Sequence, residues 1–135
     1  MRRYLLDTNV VSDLVRNPQG RATQRIRAVG DAQVCTSIIV AAELRFGAEK
    51  KGSPRLSAQL ETVLGALDVQ PFKAPADAIH GAIRASLERS GRPIGGKDLL
   101  IAAHALAIDC AIATDNEQEF ARVEGLAIEN WLRED

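Results

Sequence analysis

Four acidic residues of this chain stand where a carboxylate could bind a metal ion or take part in acid–base chemistry. Asp7 directly follows one short apolar run, and Asp115 directly follows another. Glu43 and Asp98 lie within segments that are otherwise largely apolar. A carboxylate that is buried without a partner costs several kcal/mol or is forced to take up a proton. Acids in such surroundings therefore need a shared partner.

A divalent cation would be such a partner for all four acids. Mg²⁺ and Mn²⁺ prefer carboxylate and water oxygens, and they keep several waters while one or two carboxylates hold them directly. An ion of this kind activates water for attack on phosphorus and stabilises the charge that builds on the phosphate oxygens, alone or with a second ion about 4 Å away. The pattern therefore predicts phosphodiester hydrolysis without a protein nucleophile.

Each acid, taken alone, also has an ordinary structural explanation. Asp7 could cap the helix that follows it, and Asp98 could be favoured by a helix dipole after the glycine loop. Asp115 belongs to a residue type that is common in turns. Glu43 could pair with Arg45 or Lys50 on one edge of a helix. Only the joint placement of the four acids favours a metal site over these roles.

Histidine and serine residues add little to this pattern. His80 and His104 are interpreted as helix residues without a ligand role, because no second His or Cys lies at the spacing of a metal site. Ser37 and Ser90 could act as nucleophiles only if a base lay near them, and the sequence indicates none.

Apolar periodicity predicts alternating strands and helices along the whole chain. The expected strands cover 3–6, 33–36, 68–72, 111–114 and 126–128, and the expected helices cover 8–15, 22–29, 37–47, 56–67, 75–87, 99–108 and 117–123. The third helix is expected to end at Gly47 or soon after, before the Gly52 break. Alternation of this kind predicts an α/β fold with a mostly parallel sheet of four to five strands covered by helices. Its functional crevice lies beyond the carboxyl ends of the strands, where Asp7 and Asp115 stand.

The length and composition predict a single domain over residues 1–135. A chain of 135 residues that is 46% hydrophobic can form one core but hardly two. No apolar run approaches the roughly 20 residues needed to cross a bilayer, and no cleavable leader is evident, which favours a cytoplasmic protein. Cys35 and Cys110 form no C-x-x-C pair, so buried, reduced thiols are expected.

The charge balance excludes a simple basic nucleic-acid binder. Lysine and arginine number 17 against 18 acidic residues, so any contact with a polyanion depends on local clusters. Clusters of this kind can also be solvated helix faces, and that alternative stays open. The residues that we consider for phosphate contacts are Arg45, Lys50, Lys51, Arg92 and Lys97.

Five segments, in order, resemble the VapC-like PIN-domain toxins, and the resemblance covers essentially the whole chain. The segments are YLLDTN at 4–9, TSI through AELRFG at 36–47, DLLIAAHA at 98–105, TDN with EF at 114–120, and GL through ENW at 125–131. One such segment would be weak, but five in the family's order are specific.

The resemblance implies a three-layer α/β sandwich and a ribonuclease that depends on Mg²⁺ or Mn²⁺. It implies the catalytic acids Asp7, Glu43, Asp98 and Asp115, of which Asp7 and Asp98 are expected to be metal ligands. When Thr114 is aligned, the family's fourth acid falls on Asn116, so the fourth role is assigned to Asp115. Additional polar contacts are expected from Thr8, Asn9, Thr114 and Asn116.

The resemblance also implies an RNA substrate, a homodimer and a cognate antitoxin. The antitoxin is expected to insert a peptide into the acidic groove and to present a basic residue to the carboxylates. Two other readings stay open from the residues alone. The chain could be a binding module whose acids only hold structure, or a metal-dependent phosphoesterase that acts on a small substrate.

Overall fold

The computed structural model describes residues 2–133, in which five strands and seven α-helices alternate along the chain. The strands are β1 (Tyr4–Leu6), β2 (Val34–Ser37), β3 (Asp68–Gln70), β4 (Ala111–Ala113) and β5 (Ile128–Glu129). The helices are α1 (Thr8–Arg16), α2 (Arg21–Val29), α3 (Ile38–Lys51), α4 (Pro54–Ala66), α5 (Ala76–Arg89), α6 (Gly96–Ala107) and α7 (Glu117–Phe120).

The strands form one sheet in the order β3-β2-β1-β4-β5, and every neighbouring pair is parallel. Right-handed crossovers place the helices between β1 and β3 on one face and those after β3 on the other. The order in which strands are added to the sheet reverses beside β1, which has β2 on one side and β4 on the other. The predicted α/β class and its parallel, helix-covered sheet are confirmed, and the functional crevice is expected at the carboxyl ends of β1 and β4.

The three central strands make up the middle of the core. Leu5, Leu6 and Ile112 are completely buried, because helices cover both faces of the sheet. Parallel strands in this setting carry continuous apolar runs rather than an alternation of apolar and polar residues. This explains why the runs before Asp7 and Asp115 are apolar throughout.

Helix ends decide where the site residues fall. Ser37 caps α3, since its Oγ accepts a hydrogen bond from the Ile39 amide at 3.0 Å. The helix continues through Gly47 and stops at Gly52, whose φ of 65° is left-handed. α6 begins at Gly96, earlier than the predicted residue 99, so Asp98 lies in its first turn. The final strand is an edge strand as predicted, but it lies at Ile128–Glu129 rather than at 126–128.

The two cysteines are buried and free, in agreement with the prediction. Their sulfur atoms lie 3.9 Å apart. Cys35 belongs to β2 and Cys110 directly precedes β4, so β1 runs between their strands. Neighbouring strands lie about 4.8 Å apart, which separates the two backbones by roughly 10 Å. A disulfide needs a sulfur–sulfur distance of about 2.05 Å, so the two thiols at 3.9 Å are not bridged in this structure.

None of the helices within residues 2–133 is both long enough and apolar enough to span a bilayer.

Two glycines provide a matched test of the backbone. Gly30 ends α2 with φ 97°, where any side chain is strained, whereas Gly65 lies in the exposed interior of α4 with open space around its Cβ position. We expect Gly30→Ala to destabilise the protein by about 1–2 kcal/mol. Gly65→Ala should stabilise it by about 0.5–1 kcal/mol. Urea unfolding of both variants measures the two effects, and a neutral Gly30→Ala would contradict the left-handed turn.

Candidate active site

Asp7 lies at the carboxyl end of β1 and is 3% exposed. Its Oδ1 accepts a hydrogen bond from the Thr8 amide at 2.8 Å, which caps α1. Its Oδ2 accepts from the Thr114 hydroxyl at 2.7 Å and from the Asn9 side chain at 3.4 Å. Asp7 can therefore cap α1 and belong to a site at the same time, because Oδ1 makes the capping hydrogen bond and Oδ2 makes the other contacts.

Burial raises the pKa of Asp7 above its ordinary value, and the negative charge of Glu119 raises it further. The hydrogen bonds from Thr114, Thr8 and Asn9 act in the opposite direction. Every hydrogen-bond donor to this carboxylate is an uncharged group. The charge of Asp7 is therefore oriented by its neighbours but is not neutralised by them.

Asp98, in the first turn of α6, is the second acid of the cluster. Its Oδ2 accepts a hydrogen bond from the Asn116 side chain at 3.2 Å. Burial is the main reason that its pKa is raised to about 7, followed by the hydrogen bond with Glu119 and the charges of Asp7 and Glu119. Lys97 lowers the pKa, but the other effects are larger. The structure thus brings Asp98 and Asp7 together at one end of the sheet, as predicted.

Glu119, in α7, is a member of the cluster that the sequence reasoning did not include among the site residues. The Gly95 amide donates to its Oε1 at 2.7 Å, and the Asn116 side chain donates to its Oε2 at 2.8 Å. The hydrogen bond from Asp98 lowers the pKa of Glu119 to about 2, with help from these two donors. Of the two carboxyl groups, Asp98 is therefore the weaker acid and Glu119 the stronger one.

The signal that could have revealed Glu119 is its position in the first turn of the helix that follows β4. When a short helix directly follows a strand, its first turn lies near the carboxyl end of that strand. Glu119 belongs to the segment at 114–120 that resembles the family, but the resemblance as stated above implies no role for it.

Asp115 is not brought into the acidic cluster. Its side chain is exposed, and its Oδ1 accepts a hydrogen bond from Asn130 at 3.2 Å. Its contact with the site is through the backbone, since its amide donates to the Asn9 side chain at 2.9 Å. Asn116 faces the acids instead, so the placement expected for the carboxylate of Asp115 needs correction. The reason is local: successive residues after a strand point in opposite directions.

Glu43 lies on α3, across the cleft from the other acids. Its Oε1 lies 2.6 Å from the ammonium nitrogen of Lys97. The alternative in which Glu43 pairs with Arg45 is not formed, because Arg45 donates two hydrogen bonds of 2.9 Å to Glu61 on α4. Packing of α3 against α4 and α6 supplies both partners from other helices.

These side chains border a cleft of about 370 Å³. Its lining comes from α1, α3 and α6 together with the turn after β4, and the residues are Asp7, Thr8, Asn9, Ser12, Arg16, Glu43, Leu44, Lys97, Asp98, Ile101 and Asn116. Of the predicted polar contacts, Thr8, Asn9 and Asn116 line the cleft, and Thr114 orients Asp7 from below.

The oxygen-only set of donors around this cleft fits a hard divalent cation. Asp7 and Asp98 are two nearby carboxylates whose pKa values are both raised by burial, so a positive charge between them would relieve that cost. Among residues 2–133, no three His, Cys, Asp or Glu side chains form a ready-made metal site. A cation that keeps several waters and uses one or two carboxylates suits this arrangement.

The basic residues considered for phosphate contacts are scattered. Lys97 lines the acidic cleft, while Lys51 lines an adjoining groove between α1, α3 and α4. The side chains of Arg45, Lys50 and Arg92 are exposed outside the cleft lining. A single basic track along the cleft is therefore not formed by these five residues.

A base does lie beside Ser37, which the sequence did not indicate. The Nδ1 of His104 is 2.7 Å from Ser37 Oγ. Both residues are buried, with exposures of 0% and 1%, so no substrate reaches the hydroxyl. Burial lowers the pKa of His104, so the ring is a neutral link between α6 and the start of α3. Ser90 only donates to the Leu87 carbonyl, and His80 lies half-buried on α5 outside the acidic cleft.

Comparisons with known proteins agree with this fold. Residues 4–126 match the family model described as PIN domain. The chain is 37% identical over 132 residues to the tRNA(fMet)-specific endonuclease VapC of Shigella flexneri, which covers 97% of this chain and 99% of that protein. It is 35% identical over 130 residues to ribonuclease VapC2 of Rickettsia felis, with 95% and 97% covered.

Solved structures give the same result. The chain superposes on a chain of the VapBC2 complex of Rickettsia felis, bound to a promoter DNA fragment, with a TM-score of 0.88 and 32% identity, covering 95% of this chain and 98% of that one. A chain of the DNA-bound VapBC complex of Salmonella typhimurium gives a TM-score of 0.85 at 34% identity, with 97% and 99% covered.

The fold and the acidic cleft define a nuclease of the PIN class. The chain belongs to the PIN-domain family and, within it, to the VapC ribonucleases, the toxin components of VapBC toxin–antitoxin systems.

The raised pKa of Asp98 predicts a pH-dependent stability of the metal-free protein. Its ordinary pKa of 3.8 applies to the unfolded chain, while the folded value is about 7. Between these values the folded state holds a proton that the unfolded state has lost, so the free energy of unfolding falls as pH rises. Asp98→Asn removes this effect. We compare the melting temperature of Asp98→Asn with that of the wild type at each pH. We expect the difference, variant minus wild type, to be larger at pH 8 than at pH 5 by at least about 4 °C.

Thermal unfolding by circular dichroism in a chelating buffer measures this difference. Asp115→Asn is the matched control, because that exposed carboxylate lies outside the cluster. Parallel pH profiles for the wild type and Asp98→Asn would show that burial does not raise the pKa of Asp98.

Proposed function

We propose that this VapC protein hydrolyses RNA at the cleft between α1, α3 and α6, with Asp7 and Asp98 as the ligands of a Mg²⁺ or Mn²⁺ ion. The observation that carries the proposal is that buried Asp7 and half-buried Asp98 line one cleft, with only uncharged hydrogen-bond donors to Asp7 among the described residues. When bound, the ion would supply an activated water and charge stabilisation at the phosphate.

The residues around Asp7 keep its carboxylate in one orientation. Thr8, Asn9 and Thr114 donate hydrogen bonds that use both of its oxygens without neutralising the charge. A carboxylate fixed in this way does not need to reorganise when a cation enters, which lowers the cost of binding. Thr114 and Asn9 are therefore proposed as positioning residues.

Glu119 and Asn116, rather than Asp115, complete the acidic side of the cleft in this proposal. Asn116 donates to both Asp98 and Glu119 and so links the two carboxyl groups. Glu119 also fixes the loop before α6 through the Gly95 amide. We propose that Glu119 positions Asp98 and exchanges a proton with it, because the two groups share one hydrogen bond.

A transfer RNA is the substrate class that the relatives favour. The relative from Shigella flexneri is named as an endonuclease specific for tRNA(fMet), and its alignment covers nearly the whole of both chains. We propose that the present chain cleaves a structured RNA of this class, and that it does so in the cytoplasm, where such RNAs occur. Lys51 and Lys97 lie close enough to the cleft to meet its phosphates. For Arg45, Lys50 and Arg92, phosphate contacts would lie outside the cleft.

A cognate antitoxin and a second copy of the chain are the proposed protein partners. The solved relatives include toxin–antitoxin complexes from Rickettsia felis and Salmonella typhimurium. A groove of about 260 Å³ adjoins the cleft between α1, α3 and α4 and suits an inserted peptide. On the outer face of α3, Ile38 and Phe46 are large apolar side chains with exposures of 40% and 61%. We propose this face for the dimer.

Cleavage of tRNA by purified, antitoxin-free protein in Mn²⁺ tests the nuclease site. We expect Asp7→Asn and Asp98→Asn to lower the cleavage rate by at least about 100-fold, because each removes a charged ligand. Glu119→Gln should lower the rate by about 10-fold or more. Asp115→Asn should stay within about threefold of the wild type.

The same experiment separates the other readings. Loss of activity in Asp115→Asn with none in Glu119→Gln would overturn the corrected assignment of the fourth acid. Hydrolysis of a small phosphate ester without cleavage of any RNA would favour the phosphoesterase. Equal cleavage by all variants would mean that the acids are structural and that the activity is a contaminant.

The dimer is tested by light scattering on the wild type and Phe46→Ser. Removing an exposed aromatic ring from a proposed interface should shift the protein towards monomers and weaken association at least about tenfold, whereas the melting temperature of the monomer should stay unchanged. Gln59→Ser on α4, an exposed position, is the control. A Phe46→Ser protein that stays as dimeric as the wild type would place the interface elsewhere.

A further inference from the structure

Lys97 makes an ion pair with Glu43, an acid that lines the cleft. Its ammonium nitrogen lies 2.6 Å from Glu43 Oε1. The other cation in the lining is Arg16, at the end of α1, for which no ion pair with these acids is found. Lys97 therefore places a positive charge directly at Glu43.

The two sides of the cleft differ in how their negative charge is balanced. Asp7 accepts hydrogen bonds only from neutral donors, and Asp98 accepts one from the Asn116 amide. Glu43, in contrast, has a full positive charge at hydrogen-bond distance. Among the described residues, a cation entering the cleft would thus find Asp7 without an ion pair and Asp98 only weakly influenced by Lys97, whereas Glu43 already has a salt bridge.

The chain connectivity holds Lys97 in this place. Lys97 directly precedes Asp98, so the first turn of α6 carries the ammonium group and a proposed metal ligand together. Glu43 comes from α3, which packs against α6. In nucleases that use two ions, the ions lie about 4 Å apart. The Lys97 ammonium group, carried by the residue next to Asp98 and 2.6 Å from Glu43 Oε1, supplies positive charge to an acid that a second ion would otherwise use.

We propose that Lys97 takes the place of a second metal ion, so that this chain binds one divalent cation at Asp7 and Asp98 while the ammonium group balances Glu43. This inference rests on the proposed function and specifies how many ions the site binds. In the reaction, Lys97 would contact a phosphate oxygen of the substrate. No recruitment of a second ion from solution is then required.

The ion pair contributes little to folding. The side chain of Lys97 is 60% exposed and that of Glu43 is 29% exposed, so solvent screens their attraction. Replacing Lys97 should therefore leave the melting temperature of the metal-free protein unchanged within about 2 °C. This makes the position suitable for substitution, because a change in ion binding is not confused with unfolding.

Mn²⁺ binding to the purified full-length chain, counted by the electron paramagnetic resonance signal of free Mn²⁺, tests the proposal. We expect one ion per chain for the wild type and for Lys97→Arg, which keeps the positive charge. Lys97→Gln should bind two, because Glu43 becomes available, and the double variant Lys97→Gln/Glu43→Gln should return to one. Lys50→Gln, an exposed lysine outside the cleft, is the control and should bind one.

Two ions bound to the wild type, or one ion bound to Lys97→Gln, would overturn the proposal and leave the single-site function intact. Failure of the proposed function has a different signature. In that case the wild type would bind no Mn²⁺, or Asp7→Asn would bind as many ions as the wild type, and the role of Lys97 would fall with it.

Discussion

The burial of negative charge at the carboxyl end of β1 is the constraint on which the rest of this structure depends. Asp7 is 3% exposed and lies beside Asp98, so the fold holds two carboxyl groups where their ionised forms are unfavourable. Such a pair is costly for a protein that only has to fold. It is useful for a protein that binds a cation, because the cation relieves the cost that folding created.

The groups around the acids orient the carboxylates without neutralising their negative charge. Hydroxyl, amide and backbone N–H groups fix the carboxylate of Asp7, and Asn116 connects Asp98 to Glu119. A lysine or arginine in their place would balance the charge and remove the reason for a metal to bind. The chain does place a lysine in the cleft, but it pairs with Glu43 on the far side.

The same site requires helices to start at defined points around the sheet. The Gly95 amide is held by Glu119, so α6 begins where Asp98 reaches the cleft. Ser37 begins α3 and contacts the buried ring of His104 on α6 at 2.7 Å. The second contact ties the helices that carry Glu43 and Asp98 to each other, and the first ties the start of α6 to α7. The buried neutral histidine is thus part of the scaffold rather than of the chemistry.

The sequence by itself determined the α/β class, the parallel sheet and the presence of Asp7 and Asp98 in one site. The class and the sheet follow from local apolar periodicity. The rule that parallel strands end on a common edge places Asp7 at the crevice, and the resemblance to the PIN-domain toxins adds Asp98. Only the tertiary structure decided which side chain after β4 turns inward, which acid joins Asp98, and which cation meets Glu43. Those outcomes depend on residues far apart in the chain, such as Glu119 with Gly95 and Lys97 with Glu43. The packing of helices sets these distances, and no local pattern encodes them.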